Sequence, residues 1–167
     1  MNAASILVIP MIPDHWPAVR AIYESGIATG QATFQEECPS WEQWNAAHVP
    51  SCRLVVVSDG DPLGWAALTP VSGRRVYAGV GEVSIYIAEL YRGKGLGKTL
   101  LSALVMESEK YGYWTLQAGI FPENIASLRL HESCGFRIAG RREKIGKMGT
   151  VWRDTLLMER RSRTVGW

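Results

Sequence analysis

The sequence is poor in the residues that build metal centres and covalent frameworks, with three cysteines and three histidines in 167 residues. Cys38, Cys52 and Cys134 are scattered without a CxxC pair, and His15, His48 and His131 are not at ligand spacing. Such a set gives neither a zinc site nor a disulfide scaffold; the expectation is reduced thiols, a cytoplasmic location and no metal. Long apolar runs are missing as well. None nears the ~18 residues of a membrane-spanning helix, so no membrane partner is expected. The opening MNAASILVIP lacks a basic n-region, and its short apolar run ends in proline, so it reads as a first strand and not a signal peptide. Charge of one sign is not in excess: 18 Lys and Arg stand against 16 Asp and Glu, a net of +2. A protein relying on nucleic-acid phosphates would be more basic and more patterned, so no nucleic-acid partner is expected. Internal repeats and low-complexity linkers are absent.

What remains is a globular composition. A hydrophobic fraction of 47% with 20% charged residues excludes a disordered chain. The length suits one domain, expected over residues 1–159, with a basic and frayed tail at 160–167.

Periodicity orders the elements. Ser5–Ile9 is β-like. Pro13-Asp14 starts a helix with Trp16, Val19, Ile22 and Tyr23 at helical spacing, and Ser40 is placed to N-cap a second with Trp41, Trp44 and Ala47 on one stripe. Arg53–Ser58 is a β-branched run, turned by Asp59-Gly60-Asp61 into a partner, Leu63–Thr69. After a polar stretch, Glu82–Ile87 (EVSIYI) is the strongest strand signal. Thr99–Tyr111 is a helix with Leu100, Leu101, Leu104 and Val105 inward. Trp114–Ile120 is a strand, and Asn124–Cys134 a short helix stopped by Gly135. Phe136–Ile145 and Val151–Met158 read as closing strands. Hairpin first, then strand–helix–strand, then strands: the order predicts a mixed α/β sheet, not an all-parallel one. Trp16, Trp41, Trp44 and Trp114 have the spacing of core residues. Trp152 is open between pocket wall, dimer contact and core, and Cys134 reads as a small buried apolar residue.

The chemistry-bearing segment is Arg92-Gly93-Lys94-Gly95-Leu96-Gly97-Lys98, between the strongest strand and a helix. Free first-turn amides, a helix dipole and glycines without a Cβ make such a turn an anion cradle; the plain alternative is a glycine-rich turn with solvated bases. Two familiar motifs fail here by one residue. The P-loop would need glycine where Arg92 stands, and the dinucleotide fingerprint would need glycine where Lys98 stands.

A third pattern, [Q/R]-x-x-G-x-[G/A], fits throughout and resembles the pyrophosphate loop of the GNAT N-acetyltransferases. Asn124-x-x-Ser127-x-x-x-His131-x-x-x-Gly135-Phe136 is similar to the family's second signature. Arg74-x-x-Tyr77, Glu82–Ile87, Leu130-His131-Glu132 and Trp152-x-Asp154 resemble the phosphinothricin and methionine sulfoximine acetyltransferases within it. The resemblance runs from Ile6 to Met158. It implies a mixed α/β sheet with splayed central strands and helices on both faces. It also implies acetyl-CoA as co-substrate, a small amine or amino-acid acceptor, and a homodimer.

Carried onto this chain, the resemblance gives Ile85, Tyr86 and Ile87 backbone contacts to the pantetheine arm and an amide facing the developing oxyanion. Arg92, Gly93, Lys94, Gly95, Leu96, Gly97 and Lys98 cradle the pyrophosphate, and Asn124 bonds the arm. Glu82 is the general-base candidate, with a structural ion pair or an amine contact as the alternative. His131 stands where many members protonate the leaving thiolate; the alternative is a satisfied buried histidine. Arg74, Arg75 and Tyr77, with Glu82, Val83 and Ser84, are the acceptor-side candidates. An arginine fork suits an α-carboxylate, and a solvated loop is the alternative. Competing functions are acetylation of another amine (aminoglycoside, polyamine or protein N-terminus) and a CoA- or nucleotide-binding regulatory module without turnover.

Overall fold

The computed structural model describes residues 5–167; the first four residues, with which the expected domain and its first strand segment were opened, lie outside the described residues. The order is β1 (Ile6–Pro10), α1 (Trp16–Ala28), α2 (Trp41–Ala47), β2 (Arg53–Ser58), β3 (Asp61–Pro70), β4 (Val80–Ile87), α3 (Leu96–Lys110), β5 (Thr115–Ile120), α4 (Ile125–Ser133), β6 (Arg137–Met148) and β7 (Val151–Arg161). The seven strands form one sheet in the order β1-β2-β3-β4-β5-β7-β6. All pairings are antiparallel except β4–β5.

Alternation along the inner strands feeds two cores. Leu54, Val56, Ala66 and Leu68 face one way and pack with Leu100, Leu101 and Leu104 of α3 and Leu128 of α4. Val55, Val57, Trp65 and Ala67 face the other way and meet Val19, Ile22 and Tyr23 of α1 and Trp44 of α2. A strand buried on both faces reads as a continuous apolar run, which is why RLVVVS carries no polar alternation. The N-terminus of α2 is a capping box: Ser40 Oγ accepts from Gln43 N and Gln43 Oε1 accepts from Ser40 N.

The feature that positions the site is a failure of pairing. β4 and β5 are in register only at Val80↔Thr115, Gly81↔Leu116 and Glu82↔Gln117. Beyond Glu82 the two parallel strands part. β4 stays bonded to β3 as far as Ile87↔Gly64, and β5 to β7 as far as Ile120↔Leu156. The expected splay is therefore present, with its apex at Glu82.

The fraying expected of the basic end is not found. Arg160 and Arg161 continue β7, and Ser162 is 1% exposed. Ser162 Oγ and Arg160 Nη1 both donate to Glu109 on α3 at 2.9 Å. Burial alone would raise the Glu109 pKa; donors from Arg160, Ser162 and Thr164 outweigh it and hold it below the usual value. α3 also begins at Leu96, three residues before its expected start, because its first turn grows directly out of the glycine loop.

Candidate active site

The splay opens into a cleft of about 1090 Å³ that reaches both faces of the sheet. Side chains of β4 divide by parity. Val83, Ile85 and Ile87 belong with the α3–α4 core, whereas Tyr86 packs on the α1 side, which puts Glu82 and Ser84 on the α1 side with it. On β5, Leu116, Ala118 and Ile120 point to α3 and α4, so Gln117 and Gly119 share the α1 side with Glu82. Val83, Ser84, Ile85, Tyr86 and Ile87 all line the cleft, and their backbone groups that point away from β3 have no strand partner on β5.

At the mouth of β4 lies the glycine loop. Gly93 and Gly95 hold φ of +71° and +84°, and the space a Cβ would fill at each is open. That combination is a concave, side-chain-free surface at the N-terminus of the fifteen-residue α3, whose first amides have no side-chain cap. Arg92, Gly93, Gly95, Gly97 and Lys98 line the cleft; Lys94 instead stands over the Tyr91 ring, and Leu96 is buried in the core. Arg92 Nε donates to Ile87 O at 3.0 Å, tying the loop to the strand end. Leu130 comes within 3.2 Å of where a Cβ on Gly97 would sit, so α4 approaches α3 closely there.

Asn124 N-caps α4. Its Oδ1 accepts from Ser127 N at 3.2 Å, and its Nδ2 donates to Gln31 O at 3.2 Å, across to the α1–α2 connection. Its side chain is therefore already engaged at both ends. His131, one turn beyond Ser127, is 2% exposed and lines the cleft. Its Nδ1 lies 2.8 Å from the Ser127 carbonyl, which can only accept, so Nδ1 carries the proton. Burial pushes the imidazole below its ordinary pKa, opposed by that bond. The ring is thus neutral, with a bare Nε2 that has no partner among the described residues. In this form His131 can accept a proton but has none to give at Nε2.

Glu82 is half-buried at the apex, where Gln117 Nε2 donates to its Oε2 at 2.9 Å. No ion pair engages it among the described residues, so the structural-partner alternative reduces to one neutral donor.

Arg74, Arg75 and Tyr77 are not brought to this cleft. They occupy the exposed β3–β4 connection, with Arg74 stacked on Tyr77. Trp152 is 57% exposed beside Lys147, neither cleft wall nor core.

Several residues that line the cleft or support its wall carried no sequence signal. Phe34 packs edge-on to Phe121, and Gly146 of β6 lies against the Phe34 ring, where a Cβ would come within 2.7 Å of it. Arg153 of β7 donates to Gly30 O and to Gln31 Oε1, and its guanidinium lies 3.5 Å from the Phe121 ring centre. These contacts fold the α1–α2 connection over the cleft. Arg142 and Thr155 complete the β6–β7 side.

An uncapped helix N-terminus thus opens beside a splayed parallel pair with an acid at the apex, the arrangement that the resemblance to the GNAT N-acetyltransferases implies. Residues 16–136 match the acetyltransferase (GNAT) family model, and the chain belongs to that family. It is 37% identical over 155 residues to phosphinothricin N-acetyltransferase of Alcaligenes faecalis, covering 88% of this chain and 78% of that one. It is 30% identical over 149 residues to an L-methionine sulfoximine/L-methionine sulfone acetyltransferase of Pseudomonas paraeruginosa, covering 86% and 87%. Among solved structures, a phosphinothricin acetyltransferase of Sinorhizobium meliloti in complex with AcCoA superposes with a TM-score of 0.83 at 27% identity, covering 93% of this chain and 88% of that one.

Proposed function

We propose that this N-acetyltransferase moves the acetyl group of acetyl-CoA to the α-amino group of a small amino-acid analogue, of the kind represented by L-methionine sulfoximine, L-methionine sulfone and phosphinothricin. Attack is direct, with both substrates bound. The observation that carries the reading is the acidic apex of the splay: Glu82 faces the α1 side of a cleft whose other side carries the anion cradle. The names of relatives aligned over nearly the whole chain support the choice of acceptor.

The residues present fit acetyl-CoA. Open space at Gly93 and Gly95 and the uncapped amides of α3 suit a pyrophosphate, with Arg92, Lys98 and the exposed Arg129 around it. When bound, acetyl-CoA supplies an activated acetyl group and a thiolate leaving group. Unpaired backbone groups of Val83–Ile87 hold the pantetheine arm as an added strand would, and one N–H meets the charge that develops on the carbonyl oxygen. Such a donor is worth roughly 2.7–4 kcal/mol of barrier. Glu82 takes the amine's proton, directly or through a water, and Gln117 fixes its carboxylate. His131, neutral with a bare Nε2, stands on the α4 side of the cleft and can receive a proton there. Holding both reactants in line contributes about 7–11 kcal/mol in well-oriented systems.

The same reading carries a cytoplasmic location and a homodimer. Among the described residues no helix is long and apolar enough to cross a membrane. Exposed Ile138, Ile145, Val151 and Trp152 along β6 and β7 support self-association, which light scattering reads directly.

The test follows thiol release from acetyl-CoA in parallel with methionine sulfoximine, methionine sulfone, phosphinothricin, aminoglycosides and polyamines. Fast release with the amino-acid analogues is expected. Release only with aminoglycosides or polyamines overturns the acceptor, and heat stabilisation by CoA without any release overturns turnover.

A further inference from the structure

Side chains directly opposite each other on antiparallel strands stand on the same face of the sheet. Arg142 of β6 and Thr155 of β7 are such a pair, and both line the cleft. Thr155 is 5% exposed, and its Oγ1 has no hydrogen-bond partner among the described residues. A buried hydroxyl left unpaired is destabilising unless something else supplies a partner. Arg142 is half-buried, and its guanidinium makes no ion pair or hydrogen bond among the described residues. The neighbouring arginines on these strands are all engaged: Arg141 on Asp154, Arg153 on Gly30 and Gln31, Arg137 on Glu159.

The pair is aimed by a bulge. Register slips between Arg142 and Gly146, and Lys144 takes a φ of +45°. Asp154 pins the slip, its Oδ1 accepting from Lys144 N at 2.8 Å and its Oδ2 from Arg141 Nε at 2.6 Å. Bulges of this kind re-aim a side chain, and here Arg142, Ile145 and Gly146 all reach the cleft.

The side of the sheet is decided by parity. Leu156 and Met158 belong with the α3–α4 core, so Thr155 and Arg142 face the α1 side, as Glu82 does. They are across the sheet from the pyrophosphate cradle. Along the strands, Thr155 follows the Ile120↔Leu156 pair at the open end of the splay, three rungs beyond Glu82↔Gln117. A planar cation with an unpaired hydroxyl beside it, on the acceptor side of an acetyl-transfer cleft, matches a carboxylate.

We propose that Arg142 and Thr155 form the receptor for the acceptor's α-carboxylate, which selects free amino acids over simple amines. The proposal rests on the reading of the acceptor as an amino acid. The guanidinium donates to the carboxylate oxygens and Thr155 Oγ1 donates a further bond. The carboxylate is anchored at the mouth, and the amine on the same carbon reaches Glu82 at the apex through water in the cleft.

The experiment compares L-methionine sulfone with its carboxamide as acceptors for the wild type, R142Q, R142K and T155V. KM for both substrates and the melting temperature are measured for each. R142Q is expected to raise the acceptor KM at least about tenfold, ~1.4 kcal/mol of binding, with acetyl-CoA KM within about twofold. R142K recovers part of the loss, because it keeps charge without the fork. T155V raises the same KM about threefold and leaves the melting temperature unchanged or higher, since the lost hydroxyl had no partner in the protein. The carboxamide is a poor acceptor for the wild type and no worse for R142Q. An unchanged acceptor KM in R142Q, or an equal loss for acid and carboxamide, overturns the receptor alone. A wild type that acetylates amines lacking a carboxylate and ignores the free amino acid overturns the acceptor reading and the receptor with it.

Discussion

Gln117 donates to Glu82 across the last rung that β4 and β5 share. One residue further on, the strands separate and the cleft begins. The carboxylate sits where the sheet stops supplying partners, held by a single neutral donor from the neighbouring strand. Glu82→Gln keeps the shape and an oxygen for Gln117 but cannot take a proton. We expect kcat to fall by about a hundredfold or more, with CoA affinity unchanged by calorimetry. Survival of kcat within about tenfold, ~1.4 kcal/mol, removes the base role.

The anion cradle is tested at Gly95, whose φ of +84° leaves open space at the missing Cβ. Asparagine tolerates that backbone region better than most residues, so Gly95→Asn serves as the neutral control for Gly95→Asp. The asparagine variant should bind CoA within about threefold of wild type, whereas the aspartate should weaken it by at least about tenfold through repulsion of the pyrophosphate. Equal affinities for the two variants remove the loop from the binding site.

His131 makes the fold acid-sensitive. Burial holds its pKa below the roughly 6.5 of an exposed histidine. The unfolded chain therefore takes the proton first. The contribution is fully present above the unfolded value and is lost as pH falls toward the folded one. His131→Gln keeps an N–H for the Ser127 carbonyl and removes the titration. Melting curves between about pH 5 and pH 8 should show a flatter pH dependence for the variant; parallel curves contradict the neutral, buried imidazole.

Arg153 fastens the α1–α2 connection to β7 through Gly30, Gln31 and Phe121. Its side chain is 14% exposed. Arg153→Ala should lower stability by about 2–3 kcal/mol, several degrees of melting temperature for a chain of this size. The acceptor KM should rise while CoA affinity holds, because the fastened segment roofs the acceptor side. A variant that loses CoA affinity and keeps the acceptor KM places the clamp on the wrong face.

Much of this was legible in sequence because local rules and tertiary structure agreed. Ser40 announces a helix N-cap, Gly135 a helix stop, and the loop from Arg92 to Lys98 a glycine turn that opens a helix. The chain end read differently because a basic, polar stretch is frayed by default; Ser162 is held by Glu109 on a distant helix and by the Trp114 carbonyl before β5, contacts remote in sequence. Asn124 fits its signature, but its pin to Gln31 depends on how the α1–α2 connection folds back. Arg74 and Arg75 offered cations before the central strand. Arg142 reaches the cleft through a bulge that Asp154 pins from the next strand, and no one-dimensional pattern encodes such a register.

The central claim is that one cleft holds both substrates at once and that the amine attacks directly. Initial rates measured over a grid of acetyl-CoA and L-methionine sulfone concentrations, with thiol release and N-acetyl product quantified together, test it most directly. Intersecting double-reciprocal lines with one thiol released per acetylated amine are the predicted result. Parallel lines with an acetylated protein trapped in the absence of acceptor contradict it.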